Sequence, residues 1–122
     1  MDAVTFVHAR LGMAILLYLV ICGVWGAVEA LRGRGVSGSY LGALFIAAGM
    51  AFVQALLGTI LLLSGRMPGE WLHFVYGILV LGMIPVAYSY ARTKSGKAAT
   101  AIYAVATLVA AAAAVRALGT GA

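Results

Sequence analysis

The run Tyr40-Leu-Gly-Ala-Leu-Phe-Ile-Ala-Ala-Gly-Met-Ala-Phe-Val-Gln54-Ala-Leu-Leu-Gly-Thr-Ile-Leu-Leu-Leu-Ser64 carries no charge and one strongly polar side chain, Gln54. A helix that crosses a membrane needs about 20 apolar residues in a row. The run 40–64 meets that length, and three more do so at roughly 4–31, 71–91 and 98–118. The connections between them are short, so consecutive helices are expected to be antiparallel neighbours. The sequence therefore predicts an all-α fold, an integral membrane antiparallel four-helix bundle that takes up residues 1–122 as one domain.

Composition agrees with this expectation. The chain of 122 residues is 65% hydrophobic and 9% charged, with a mean hydropathy of +1.10. A soluble domain carries about 25% charged residues, so this chain has too few to cover a globule with a wetted surface. The net charge of +5 does not mark a nucleic-acid binder. Its basic residues sit at the ends of apolar segments, where they orient a membrane protein, and no basic stripe carries interleaved aromatics. Cys22 is the single cysteine, so an intrachain disulfide is excluded. The N-terminus lacks a basic leader, and its apolar run is longer than that of a signal peptide, so it reads as a retained first helix.

Polar residues within the spans are few. Gln54 must find a partner or cost stability, and an interhelical hydrogen bond is preferred over contact with a quinone or other cofactor. Gly42, Gly49 and Gly58 read as points of close helix approach. Pro85 is expected to kink its helix. Trp25 and Glu29 read as interfacial anchors. The fourth segment, rich in alanine, offers close packing or a contact surface for a partner subunit.

The two histidines stand apart from this scaffold. Each lies just inside the start of an apolar run and precedes a glycine by four residues: His8-Ala9-Arg10-Leu11-Gly12 and His73-Phe74-Val75-Tyr76-Gly77. In a helix, residues four apart share a face, so each histidine has a patch without a side chain one turn deeper. His8 and His73 start the first and third helices, which run parallel in an up-down-up-down bundle, at depths matched within one turn of ~5.4 Å. Neighbouring axes 8–10 Å apart place diagonal helices about 11–14 Å apart, a gap that suits two inward imidazoles with a metal between them. Histidine within a membrane segment is costly and by default marks function.

A closed zinc site needs four ligands, and the chain does not supply them at that depth. Haem iron needs two axial ligands, and Gly12 and Gly77 would clear room for its macrocycle. Arg10, Arg66 and Arg116 lie at the same end, where they could meet two propionates. The site expected from the residues is thus a haem held by His8 and His73. The opposing reading, two unrelated interfacial histidines, is weaker for a pair matched in depth, helix parity and spacing.

The string His8-Ala9-Arg10-Leu11-Gly12, the stretch Gln54-Ala55-Leu56-Leu57-Gly58 continuing to Ser64-Gly65, and Leu72-His73-Phe74 together resemble haem A synthase. That family has two homologous four-helix bundles, each able to hold a haem through a histidine pair. The resemblance covers residues 5–91, one such bundle, and implies a ligand role for His8 and His73. The family's catalytic bundle has a glutamate three residues before the first histidine, where this chain has Thr5. It also often has a cysteine pair in an outer loop and always a second bundle, and this chain has neither. The resemblance thus implies a b-type haem in an electron-transfer protein or a subunit of a respiratory or photosynthetic complex. The alternatives are a half-size haem A synthase that acts on haem O as a homodimer, and a haem-free structural subunit.

Loop charge sets the orientation. Arg32, Arg34, Arg92, Lys94 and Lys97 lie in the first and third connections, whereas the other side carries Arg10, Arg66 and Arg116, offset by Asp2 and Glu70. The positive-inside rule then places those two loops in the cytoplasm and both termini outside, in the cell's inner (cytoplasmic) membrane. A reporter fused after Ala122 should be active only as an outward-facing probe. Cytoplasmic activity of that fusion would reverse the orientation.

Overall fold

The computed structural model describes residues 2–121, so Met1 and Ala122, the termini themselves, lie outside the described residues. It consists of four α-helices, α1 (Asp2–Leu31), α2 (Gly38–Leu63), α3 (Leu72–Ala91) and α4 (Gly96–Gly121). No strand occurs among the described residues. Each helix is long and apolar enough to cross a membrane. The expected segments fall close to these bounds, but α4 runs past residue 118 to Gly121, and that extra turn matters below.

Local chemistry explains the ends. Ser37 caps α2, its hydroxyl accepting from the Tyr40 backbone N–H at 3.1 Å and so satisfying a donor that a helix start leaves free. Gly33 and Gly65 follow the ends of α1 and α2 with φ of 73° and 86°, a conformation glycine adopts without penalty. α3 continues through Pro85 as a single helix. The Ser89 hydroxyl donates to the Pro85 carbonyl at 3.2 Å.

The backbone of α4 lies close to α1 and α3, and that of α2 to the same two, while α1 and α3, and likewise α2 and α4, meet only through side chains. α4 is the most buried of the four helices. Its buried face is built of small residues, Ala99, Thr100, Ala106, Thr107, Ala110, Ala111 and Ala114 among them. These fit against larger core side chains, including Ile15 and Leu19 of α1, Tyr40 and Leu44 of α2 and Ile84 of α3. In a membrane, whose tails are as apolar as leucine, such contact would stabilise through close packing and not through escape from water. The low bulk of α4 is thus used within the chain. Polar groups on the buried face are internally bonded: Thr107 donates to the Tyr103 carbonyl at 2.5 Å, and Thr100 to the Arg34 carbonyl at 2.7 Å.

The glycines that permit close approach are not all the ones expected. A Cβ at Gly42 or Gly49 would have no atom within 4 Å, because these residues face outward. On α1, by contrast, a Cβ at Gly23 would strike Leu108, and one at Gly26 would collide with the Tyr40 hydroxyl. Trp25, expected as an interfacial anchor, packs edge-to-face on Tyr40 at 5.2 Å between ring centres. Glu29 pairs with Arg34 at 3.4 Å.

Gly26→Val should therefore destabilise the fold by about 1–3 kcal/mol, the usual range for overpacking. Gly49→Val should change stability by no more than ~0.5 kcal/mol. Thermal unfolding of both variants in the same detergent checks the contrast, and equal losses would show that Gly26 is not a contact point.

Candidate functional site: a histidine pair between α1 and α3

α1 and α3 meet only through side chains, among them His8 and His73. Their ring centres are 6.2 Å apart and their planes are inclined at 70°. Both side chains are half-buried. What holds them in place comes from the two intervening helices.

α2 positions His8. The Gln54 side-chain amide donates to the His8 backbone carbonyl at 2.7 Å, the interhelical bond that its place in the apolar run anticipates. One turn further along α2, Gly58 lies against the ring, where a Cβ would stand 3.2 Å from His8 Cε1. α4 positions His73. Its Nδ1 lies 2.8 Å from the Ala117 carbonyl. A carbonyl only accepts, so Nδ1 carries the proton and Nε2 keeps its lone pair. Four residues on, Gly121 lies against this ring too, and a Cβ there would be 2.8 Å from His73 Cε1. Each histidine thus has a hydrogen-bond anchor and a glycine, four residues apart, on the helix beside it, and His73 Nδ1 also lies 3.5 Å from the Thr120 hydroxyl.

Two polar atoms at the pair are buried with no hydrogen-bond partner, His8 Nδ1 and Gln54 Oε1. Such atoms are rare and costly, and both lie on the His8 side. A nitrogen with an open lone pair on His73 and an unsatisfied ring on His8 make a donor set of two imidazoles.

The remaining expected residues are placed as follows. A Cβ at Gly12 would lie 3.1 Å from Gln54 Nε2 and 3.3 Å from Leu118 Cδ2, so this glycine lets the amide cross to the His8 carbonyl. Gly77 has open space around it, with no atom within 4 Å of a Cβ. Arg10 lies over the Phe6 ring at 5.1 Å and Arg116 over the Tyr76 ring at 5.6 Å. Arg66 donates to the Thr5 hydroxyl at 3.0 Å and pairs with Asp2 at 3.4 Å. Cys22 is buried in α1, about 21 Å along the helix from His8 at 1.5 Å per residue. Among the described residues no three of His, Cys, Asp and Glu gather in a way that could hold a metal ion.

Sequence reasoning missed three contributors, Gly58 as a contact of His8, and Ala117 and Gly121 as contacts of His73. Gly58 stood out in the sequence as a glycine four residues after Gln54. The α4 residues gave less signal, since one of them acts through its backbone carbonyl and the helix reads as featureless. The chain matches no family model, no curated protein and no solved structure.

Nitrogen-15 NMR of histidine-labelled protein should show His73 as the Nδ1-protonated tautomer. Gly121→Val, which pushes a side chain into the ring, should displace that signal and leave the resonances of Trp25 and Tyr40 in place. A His73 signal unchanged by Gly121→Val would refute this seating.

Proposed function

We propose that this chain is an integral membrane protein, an antiparallel four-helix bundle that holds one haem between His8 and His73 and works in electron transfer. It lies in the inner membrane with both termini outside the cytoplasm, as a b-type cytochrome or as a subunit of a larger complex. The observation that carries the reading is the spacing of the histidines. A first-row metal bonds imidazole nitrogen at about 2 Å, and the nitrogen lies about 1 Å from its ring centre, so two trans imidazoles put ring centres about 6 Å apart. The pair stands at 6.2 Å.

The donor set favours haem over a bare ion. Two imidazoles alone do not make a closed metal site, and no third ligand lies close among the described residues. Haem would need no protein ligands beyond a pair such as His8 and His73. The Ala117 carbonyl on His73 Nδ1 is the outer-shell partner that metal-bound histidines commonly have; it fixes the tautomer and raises the basicity of the ligand. When bound, the haem supplies a one-electron couple. His8 and His73 would hold it, with the Ala117 carbonyl fixing the orientation of His73.

Haem A synthase chemistry is not favoured. Thr5, at the position of the family's glutamate, is engaged by Arg66, and its hydroxyl is no proton acceptor of the kind a carboxylate provides. The likeness to haem A synthase rests on the residues quoted above, and electron transfer needs only the axial pair.

The purified protein should show a low-spin, six-coordinate haem spectrum, and pyridine extraction should identify haem b. His8→Ala or His73→Ala should give a high-spin spectrum or lose the haem, with membrane insertion intact. Met13, Met50 and Met83 are the candidate substitute ligands, so a His73→Ala protein that keeps an unchanged low-spin spectrum would rule out the pair.

A further inference from the structure

A furrow runs along the seam between α3 and α4 as two successive hollows of about 210 and 470 Å³. Its α3 wall is Tyr76, Leu79, Met83, Val86 and Tyr90. Their spacing of three and four residues makes one helical stripe, so the two hollows are stretches of one groove. The facing α4 stripe runs from Arg116 through Val109 to Val105. From Tyr76 to Tyr90 the groove is about 21 Å long at 1.5 Å per residue.

The walls are apolar, and the cations sit at the ends. Arg116 lies over Tyr76 at 5.6 Å, and Lys94 over Tyr90 at 5.1 Å. The ion pairs among the described residues are Arg34–Glu29 and Arg66–Asp2; Arg116 is exposed, in no ion pair, and interacts with Tyr76 and more weakly with the charge of Glu70. It lies about 7.5 Å from the end of α4, within a helix apolar enough to span a membrane. So near the helix end the side chain reaches headgroup level, where anionic headgroups attract a cation.

We propose that this furrow binds an anionic phospholipid, with an acyl chain along the α3–α4 stripe and the headgroup phosphate on Arg116. The proposal rests on the membrane-spanning reading above and not on the haem. A long apolar groove with a guanidinium at its mouth matches an amphiphile that carries both a tail and an anion. A second copy of the chain fits less well. Two-fold pairing through this face presents the same patch from both copies, which sets Arg116 against Arg116 and brings no counter-charge.

Native mass spectrometry of the full chain, released from micelles containing phosphatidylcholine and phosphatidylglycerol, tests this. Phosphatidylglycerol should be retained preferentially, and Arg116→Gln should weaken its retention about fivefold, the effect of roughly 1 kcal/mol for a cation at the membrane surface. Ala112→Phe, which fills the smaller hollow without altering charge, should weaken it as well. Three results would overturn the proposal: equal retention of both lipids, unchanged retention by Arg116→Gln, or a dimer that Ala112→Phe dissolves while lipid retention stays constant. Release of the protein from membranes by alkaline carbonate would overturn the membrane reading and this inference together. Firm membrane retention without lipid preference would overturn this inference alone. Loss of haem in Arg116→Gln with lipid retention intact would assign Arg116 to the histidine site instead.

Discussion

The end of α4 is tied to the start of α3 by hydrogen bonds, and the arrangement of the histidine pair depends on them; two of them satisfy carbonyls that the helix itself leaves free. The α2–α3 turn supplies the Glu70 N–H to the Thr120 carbonyl at 2.9 Å and the Gly69 N–H to the Gly121 carbonyl at 3.4 Å. His73 supplies Nδ1–H to Ala117 at 2.8 Å. These three bonds clamp the start of α3 to the end of α4. In an apolar medium, where an orphaned carbonyl costs several kcal/mol, such a clamp is worth more than in water. A carbonyl only accepts, so the proton in the bond to Ala117 sits on His73 Nδ1.

The pairing of α1 with α2 repeats this plan with different chemistry. Gln54 reaches the His8 backbone where Ala117 reaches the His73 ring. Gly58 and Gly121, each four residues beyond its anchor, seat the two rings. The difference falls on the rings themselves. His73 has its Nδ1 bonded, whereas His8 Nδ1 and Gln54 Oε1 are buried without partners. One imidazole is held through a ring nitrogen, and the other through its backbone and the contact with Gly58.

Helix number and rough position were legible in the sequence because length and hydropathy leave little choice for runs such as 40–64. The histidine pair was legible as well, since two rare residues at matched depth on alternate helices point to each other. The supporting contacts were less so, for physical reasons. An alanine stripe such as that of α4 has no polar signature, and whether it faces a partner chain or its own core depends on the shapes opposite, here Ile15, Leu19, Leu44 and Ile84. The glycines were read by spacing alone, which cannot tell Gly49, facing outward, from Gly26, pressed against the Tyr40 hydroxyl. The role of Ala117 lies in a backbone carbonyl and leaves no trace in residue type.

The three arginines at the histidine end show how one charge pattern divides into different tasks. Arg66 is taken up by Asp2 and Thr5, and so ties the α2–α3 turn to the start of α1. Arg10 lies over Phe6 within the first turns of the same helix. Arg116 lies over Tyr76 at the α3–α4 seam. A shared depth led to the expectation that all three would serve one anionic ligand. Depth is a one-dimensional coordinate, however, and residues at one level of a bundle are spread around its circumference. Ala117 meets His73 through its backbone carbonyl, while the Arg116 side chain lies over Tyr76.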